Sequence, residues 1–231
     1  MARAGSSARP RWRGLYAIVD PERCGGRDPE ALADAILSGG CAVLQLRAKT
    51  GPRRTLLALA KRLAERCRRA GVPFVVNDHL DLAWLVSADG LHLGQDDLPV
   101  GAARRLLGED RPVGVSTHDL PQLATAVDEG ADLVGFGPVF PTGSKAQADP
   151  VVGLPGLARA CAESPVPVVA IGGLTLETAA AAARAGAPLV AVISALARSP
   201  DPAATAAALH REVLRAAPEP DRGPDARELG A

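Results

Sequence analysis

The chain has 231 residues, with 26 Lys and Arg balancing 26 Asp and Glu, and only 3% of it is aromatic. That balance excludes a broad basic nucleic-acid face and a row of base-stacking platforms, so any anion must be bound locally. The length suffices for a buried core without staples, and Cys24, Cys41, Cys67 and Cys161 are scattered with no CxxC or zinc-ligand spacing, which reads as reduced packing residues in a cytoplasmic protein.

Residues 1–13, "MARAGSSARPRWR", are rich in Arg, Ser and Ala and precede one short apolar strand rather than a signal-peptide core. They read as a solvated, disordered tail, and no apolar run anywhere is long enough for a membrane span. From "GLYAIVD" onward, β-branched apolar runs recur: "CAVLQLR", "PFVVND", "GLHLG", "PVGVST", "DLVGFGP", "PVVAIGG" and "LVAVISA". Helical periodicity follows each, as in "PEALADAILSGG" and "PRRTLLALAKRLAERCRRAG". Helix stops are expected at Gly39 and Gly40, Gly71, Gly130 and Gly186, and N-caps at Asp119 and Thr175; Thr175 to Thr178 is too weak a pattern to assign as a capping box. Residues 217–231 are Pro- and charge-rich and read as a second disordered tail.

Strands this continuously apolar are buried on both faces, which predicts a parallel sheet covered by helices. Eight such units over residues 14–216 predict a single-domain α/β (β/α)8 TIM barrel, with a doubly wound open sheet as the competitor. Polar residues gather at the C-terminal ends of nearly all the runs, and only a barrel brings all those ends to one face.

In "QLRAK", Gln45 and Arg47 share a strand face, with Lys49 just beyond. They are either a solvated strand exit or donors converging on an anion in the barrel mouth. Asn77-Asp78 and Asp96-Asp97 end neighbouring strands; a lone Asp there reads as an N-cap, but two carboxylates beside cations suit Mg²⁺ on a diphosphate. Gly172-Gly173 and Ser194 fit either a phosphate-binding end of the barrel or a plain tight turn. "GFGPVFPTGSK", residues 135–145, is either a connector or a loop that presents Thr142, Ser144 and Lys145 to something negative. His79 and His118 lie near the mouth without a metal or triad pattern and are not assigned as bases; no nucleophile elbow or P-loop occurs.

Taken in order, "GLYAIVD", "QLRAK", "NDHLDLA", "ADGLHLGQDDLP", "GVSTH", "GFGPVFPTGSK", "VAIGGLT" and "VAVISA" resemble the thiamine-phosphate synthase family over roughly residues 14–215. The resemblance implies a barrel transferase that condenses a pyrimidine diphosphate with a thiazole phosphate carboxylate and releases pyrophosphate. It implies further that Gln45, Leu46, Arg47, Ala48, Lys49 and Asn77 hold the pyrimidine diphosphate, and that Asp78 and Asp97 bind Mg²⁺. Ser116 and Lys145 would contact the diphosphate and pyrimidine, and Thr142 and Ser144 the thiazole, whose phosphate would rest on Gly173 and the Ile193-Ser194 backbone. Arg47, Lys145 and Ser116 are the residues implied to act catalytically.

Two departures from the family stand out: Ala48 in place of an acidic residue that would orient Arg47, and Ser144 in place of Thr. Asp96 stands where Glu is usual, which favours Asp97 as the ligand. The related thiazole tautomerase is the rival enzyme, although a His is expected there where this chain has Pro138. A non-catalytic thiazole-phosphate-binding regulator and a general phosphosugar isomerase barrel are the other readings. The partners expected are small molecules, with no nucleic acid and no membrane; a homo-oligomer is compatible with the sequence, which sets no oligomeric state.

Overall fold

A computed structural model describes residues 10–143 and 150–219. Its eight strands are β1 (Gly14–Val19), β2 (Val43–Leu46), β3 (Phe74–Asn77), β4 (Gly90–Leu93), β5 (Val113–Thr117), β6 (Leu133–Phe136), β7 (Val168–Ala170) and β8 (Leu189–Val192). All neighbours pair in parallel, and β8 returns to β1 with Gly14 opposite Leu189. The barrel is therefore closed, and the open-sheet competitor is excluded. The helices are α1 (Pro29–Gly39), α2 (Arg53–Ala70), α3 (Leu80–Leu85), α4 (Val100–Leu107), α5 (Leu120–Asp128), α6 (Gly153–Glu163), α7 (Leu176–Arg184), α8 (Ser194–Ala197) and α9 (Pro202–Ala216). Among the described residues no helix is long and apolar enough to cross a membrane.

The period-two alternation of each strand splits the core into two layers. Tyr16, Ile18, Val43, Val75, Leu133 and Val169 fill the barrel, while Leu15, Val19, Leu44, Phe74, Phe136 and Val190 meet the helices. Both strand faces are dry, which is why the sequence shows runs instead of alternation.

Local chemistry fixes where helices begin and end. Asp119 accepts from the Gln122 N–H at 2.8 Å, and Asp28 and Asp201 cap α1 and α9 in the same way, each just before a proline. The Thr175 N–H donates to Thr178 Oγ1 at 2.9 Å, so the pattern too weak to assign from sequence is a capping box, with Thr doing what Glu or Gln usually does. Gly71 ends α2 in the left-handed region at φ 67°, as expected. Gly39 differs: it is the last helical residue of α1 and lies so close to the Ala203 carbonyl of α9 that no Cβ would fit.

The end of the barrel opposite the strand C-termini is tied by polar contacts. Arg104 pairs with Asp132, the two side chains being only 4% and 6% exposed, and Asp132 also accepts from the Val113 N–H at 2.8 Å. His210 on α9 accepts the Leu15 N–H through Nδ1 at 3.1 Å. Trp12 packs against the inner layer, and Arg13 donates to the carbonyls of Ala217 and Pro218. Residues 1–9 and 220–231, where most of the expected tails fall, lie outside the described residues.

All four cysteines are free. Burial pushes Cys41, Cys67 and Cys161 up to about 12, and burial with the nearby Asp20 and Asp28 charges raises Cys24 to about 11. The thiols therefore stay protonated, as packing residues do.

Candidate active site

At the C-terminal ends of the strands the barrel opens into a cleft of about 820 Å³, a size that encloses small-molecule ligands. All eight strands contribute to its wall, so the ring of polar strand ends does converge.

On β2 the alternation turns Gln45 and Arg47 inward, while Leu46 and Ala48 pack their side chains into the outer core. Gln45 is buried and donates to Asn77 Oδ1 at 3.1 Å, which leaves the Asn77 amide group to face the cleft. Arg47 Nη1 lies 2.5 Å from Asp20 Oδ2, and Lys49 Nζ lies 2.5 Å from Asp78 Oδ2. The carboxylate paired with Arg47 in this chain thus comes from the end of β1, and Ala48 does not leave the guanidinium unpaired.

Asp78 and Asp97 end neighbouring loops on one side of the cleft. Asp78 adopts φ 62°, a left-handed conformation that only Gly, Asn and Asp visit readily. Asp97 accepts the Gly94 N–H at 2.6 Å. Its carboxyl is held above the ordinary carboxylate range, first by burial and then by the adjoining Asp78, with the Gly94 N–H and Lys49 acting the other way. Two carboxylates pressed together against their own repulsion are a fit for Mg²⁺, which takes one or two protein carboxylates and completes its shell with water and phosphate oxygens. Among the described residues no cluster of three or more His, Cys, Asp or Glu converges.

Ser116 on β5 faces the cleft with its hydroxyl 2.9 Å from His92 Nε2. Thr142, Gly173, Ile193 and Ser194 line the opposite wall. Gly173, at φ 66°, packs under Phe140 and Pro141, where a Cβ would come within 2.5 Å of the Pro141 carbonyl oxygen. Its lack of a side chain is what lets the loop after β6 fold over the turn after β7. Ser144 and Lys145 lie outside the described residues.

His79 and His118 donate to the carbonyls of Ala48 at 2.7 Å and Gly137 at 2.6 Å. Both fix loops to the barrel, which agrees with leaving them unassigned as bases.

Sequence reasoning missed three residues here. Asp20 hid as the last letter of an apolar strand, although its place beside "QLR" on the neighbouring strand was a signal. Tyr16 reads as core, yet its buried hydroxyl faces the cleft and meets no partner among the described residues, and burial raises its phenol. Arg23, in the single turn Pro21–Arg23, reaches the rim and donates to the Gly143 carbonyl at 3.3 Å.

A family model described as thiamine monophosphate synthase matches residues 15–196. The thiamine-phosphate synthase of Anaeromyxobacter dehalogenans is 48% identical over 207 residues, 89% of this chain and 90% of that one. That of Moorella thermoacetica is 43% identical, over 90% of this chain and 98% of its own. Among solved structures, the thiamine phosphate pyrophosphorylase from Pyrococcus furiosus superposes with a TM-score of 0.80 at 32% identity, covering 88% of this chain and 96% of that chain. With the closed barrel, the polar mouth and these likenesses in agreement, the chain belongs to the thiamine monophosphate synthase family.

Proposed function

We propose that this chain is a transferase joining 4-amino-2-methyl-5-hydroxymethylpyrimidine diphosphate to a thiazole phosphate carboxylate, releasing pyrophosphate and carbon dioxide and giving thiamine phosphate. Family membership supports the reaction. At the site, one observation carries it: Arg47 and Lys49 share a cleft with the crowded Asp78 and Asp97 pair, cations for a diphosphate beside oxygen donors for its metal.

In this reading Gln45, Arg47, Lys49 and Asn77 hold the pyrimidine diphosphate, together with the backbone of Leu46 and Ala48. Ser116 and Lys145 contact its pyrimidine and diphosphate. Thr142 and Ser144 contact the thiazole, whose phosphate rests on Gly173 and the Ile193-Ser194 backbone. Asp78 and Asp97 would hold Mg²⁺, which when bound supplies positive charge to the diphosphate. The electron-rich aminopyrimidine expels pyrophosphate to leave a stabilised methylene cation, and the thiazole nitrogen attacks it.

Negative charge grows on the leaving group, so Arg47 and Lys145 act by electrostatic stabilisation; loss of one such preorganised contact costs about 3 kcal/mol of barrier. No step asks for a side-chain nucleophile. The buried, protonated thiols also fit a reducing, cytoplasmic setting.

Purified protein incubated with both substrates and Mg²⁺ is expected to yield pyrophosphate and thiamine phosphate together, and to yield neither in EDTA. Folded protein that forms no product overturns the proposal. Thiazole isomerisation without pyrophosphate would mark a tautomerase, and tight thiazole-phosphate binding without turnover a regulator.

A further inference from the structure

Asp20 is the most deeply buried acid at the mouth, with its side chain fully enclosed. Buried carboxylates persist where partners surround them, and among the described residues Asp20 has partners on both oxygens. Oδ1 accepts the Glu22 N–H at 3.0 Å, capping the turn Pro21–Arg23. Oδ2 lies 2.5 Å from Arg47 Nη1 and 3.7 Å from Arg23 Nε. Both guanidiniums line the cleft, and Arg23 reaches on to the Gly143 carbonyl in the loop that carries Thr142.

The geometry follows from strand pairing. Val19 of β1 stands opposite Leu46 of β2, and the Arg47 N–H donates to the Val19 carbonyl at 2.9 Å, so the next residues, Asp20 and Arg47, leave the sheet side by side. A guanidinium is planar and permanently charged, with five N–H groups in a fixed fork. Asp20 engages one corner of the Arg47 fork, and only 15% of that side chain remains exposed, on the cleft side. An arginine held this way meets its anion without first losing rotamer freedom.

We infer that Asp20 is a positioning residue: it aims Arg47 at the diphosphate and, through Arg23, ties that arginine to the loop on the thiazole side of the cleft. The inference rests on the reading of Arg47 as a diphosphate ligand given under Proposed function. It assigns to β1 a role that neither the motif after Arg47 nor the metal pair supplies.

The test is a double-mutant cycle with Asp20→Asn, which keeps the capping oxygen and the shape but removes the charge, against Arg47→Ala. Asp20→Asn should lower kcat/KM for the pyrimidine diphosphate by about 10- to 100-fold and weaken pyrophosphate binding, measured by calorimetry with Mg²⁺, by a similar factor. In the Arg47→Ala background the same change should have an effect of less than about 2-fold, because the group it acts through is gone. Full additivity of the two losses, or wild-type pyrophosphate binding and turnover in Asp20→Asn, overturns the inference. If the amide variant does not fold, Asp20→Ser, whose hydroxyl also caps a turn, enters the same cycle. Failure of the underlying reading looks different: wild-type protein would then neither bind pyrophosphate nor turn over.

Discussion

Lys49 and Asp78 form an ion pair inside the cleft, with Nζ 2.5 Å from Oδ2, so a proposed diphosphate cation and a proposed metal carboxylate stand in direct contact. Lys49 is 47% exposed and Asp78 only 10%, so the lysine end of the pair faces solvent and the aspartate end is enclosed.

That asymmetry decides how to test the carboxylate. Asn tolerates the left-handed backbone of Asp78, whereas Ala would add strain of about 1–2 kcal/mol. Asp78→Asn is therefore expected to keep the melting temperature of the wild type while activity falls about 100-fold or more. Near-normal turnover with Mg²⁺ in that variant would remove the metal assignment.

Gly173→Ala places a side chain in the left-handed region and against the Pro141 carbonyl oxygen. The expected loss of stability in denaturant unfolding is at least about 1–2 kcal/mol. KM for the thiazole substrate should rise with it, since Thr142 rides on the loop that would be pushed away. An unchanged KM at reduced stability would separate the turn from the thiazole site.

Asp132→Ala leaves the Arg104 guanidinium buried without its enclosed carboxylate, with the exposed Glu109 at 4.0 Å and the Gly130 carbonyl still near it. Losing one partner of such a pair costs about 3–5 kcal/mol, measured as a lower denaturant midpoint. Activity per folded molecule should stay at the wild-type level, because the pair lies at the end of the barrel opposite the cleft. A selective loss of kcat would contradict that separation.

His210 gives the stability a pH dependence of known sign. Burial lowers its folded pKa below the ordinary value of about 6.5, and its Nδ1 must stay unprotonated to accept the Leu15 N–H. The unfolded chain binds the proton first, so this contribution is complete above about pH 6.5 and is lost as pH falls through the folded pKa. Thermal melts from pH 8 to pH 5 should show a smaller acid decline in His210→Asn, whose amide oxygen can still accept. An identical decline in both proteins would assign the effect to other groups.

The barrel was legible in the sequence because its strands are dry on both faces, and β-branched runs between glycine-stopped helices have few other ways to pack. The mouth was legible for a related reason: Gln45, Asn77 and Ser116 interrupt apolar strands at the inward positions, where a polar side chain has no structural purpose. Asp20 was not legible, because one aspartate after a strand reads as a cap. Its Oδ1 does cap a turn, and only the pairing of β1 with β2 reveals the second use, through Oδ2. Tyr16 was hidden by its own periodicity, since an aromatic residue at an inward strand position looks like filling. The capping box escaped because Thr178 replaces the longer side chain the pattern leads one to expect.

The contact of Arg13 with the carbonyls of Ala217 and Pro218 brings residues near the two ends of the described chain together beneath the barrel. Arg13, Ala217 and Pro218 lie at the floor, and the cleft opens at the roof. A short linker between Arg13 and Ala217 would join them without crossing the cleft. The fold thus keeps this junction apart from the cleft, which makes the barrel a scaffold suited to circular permutation.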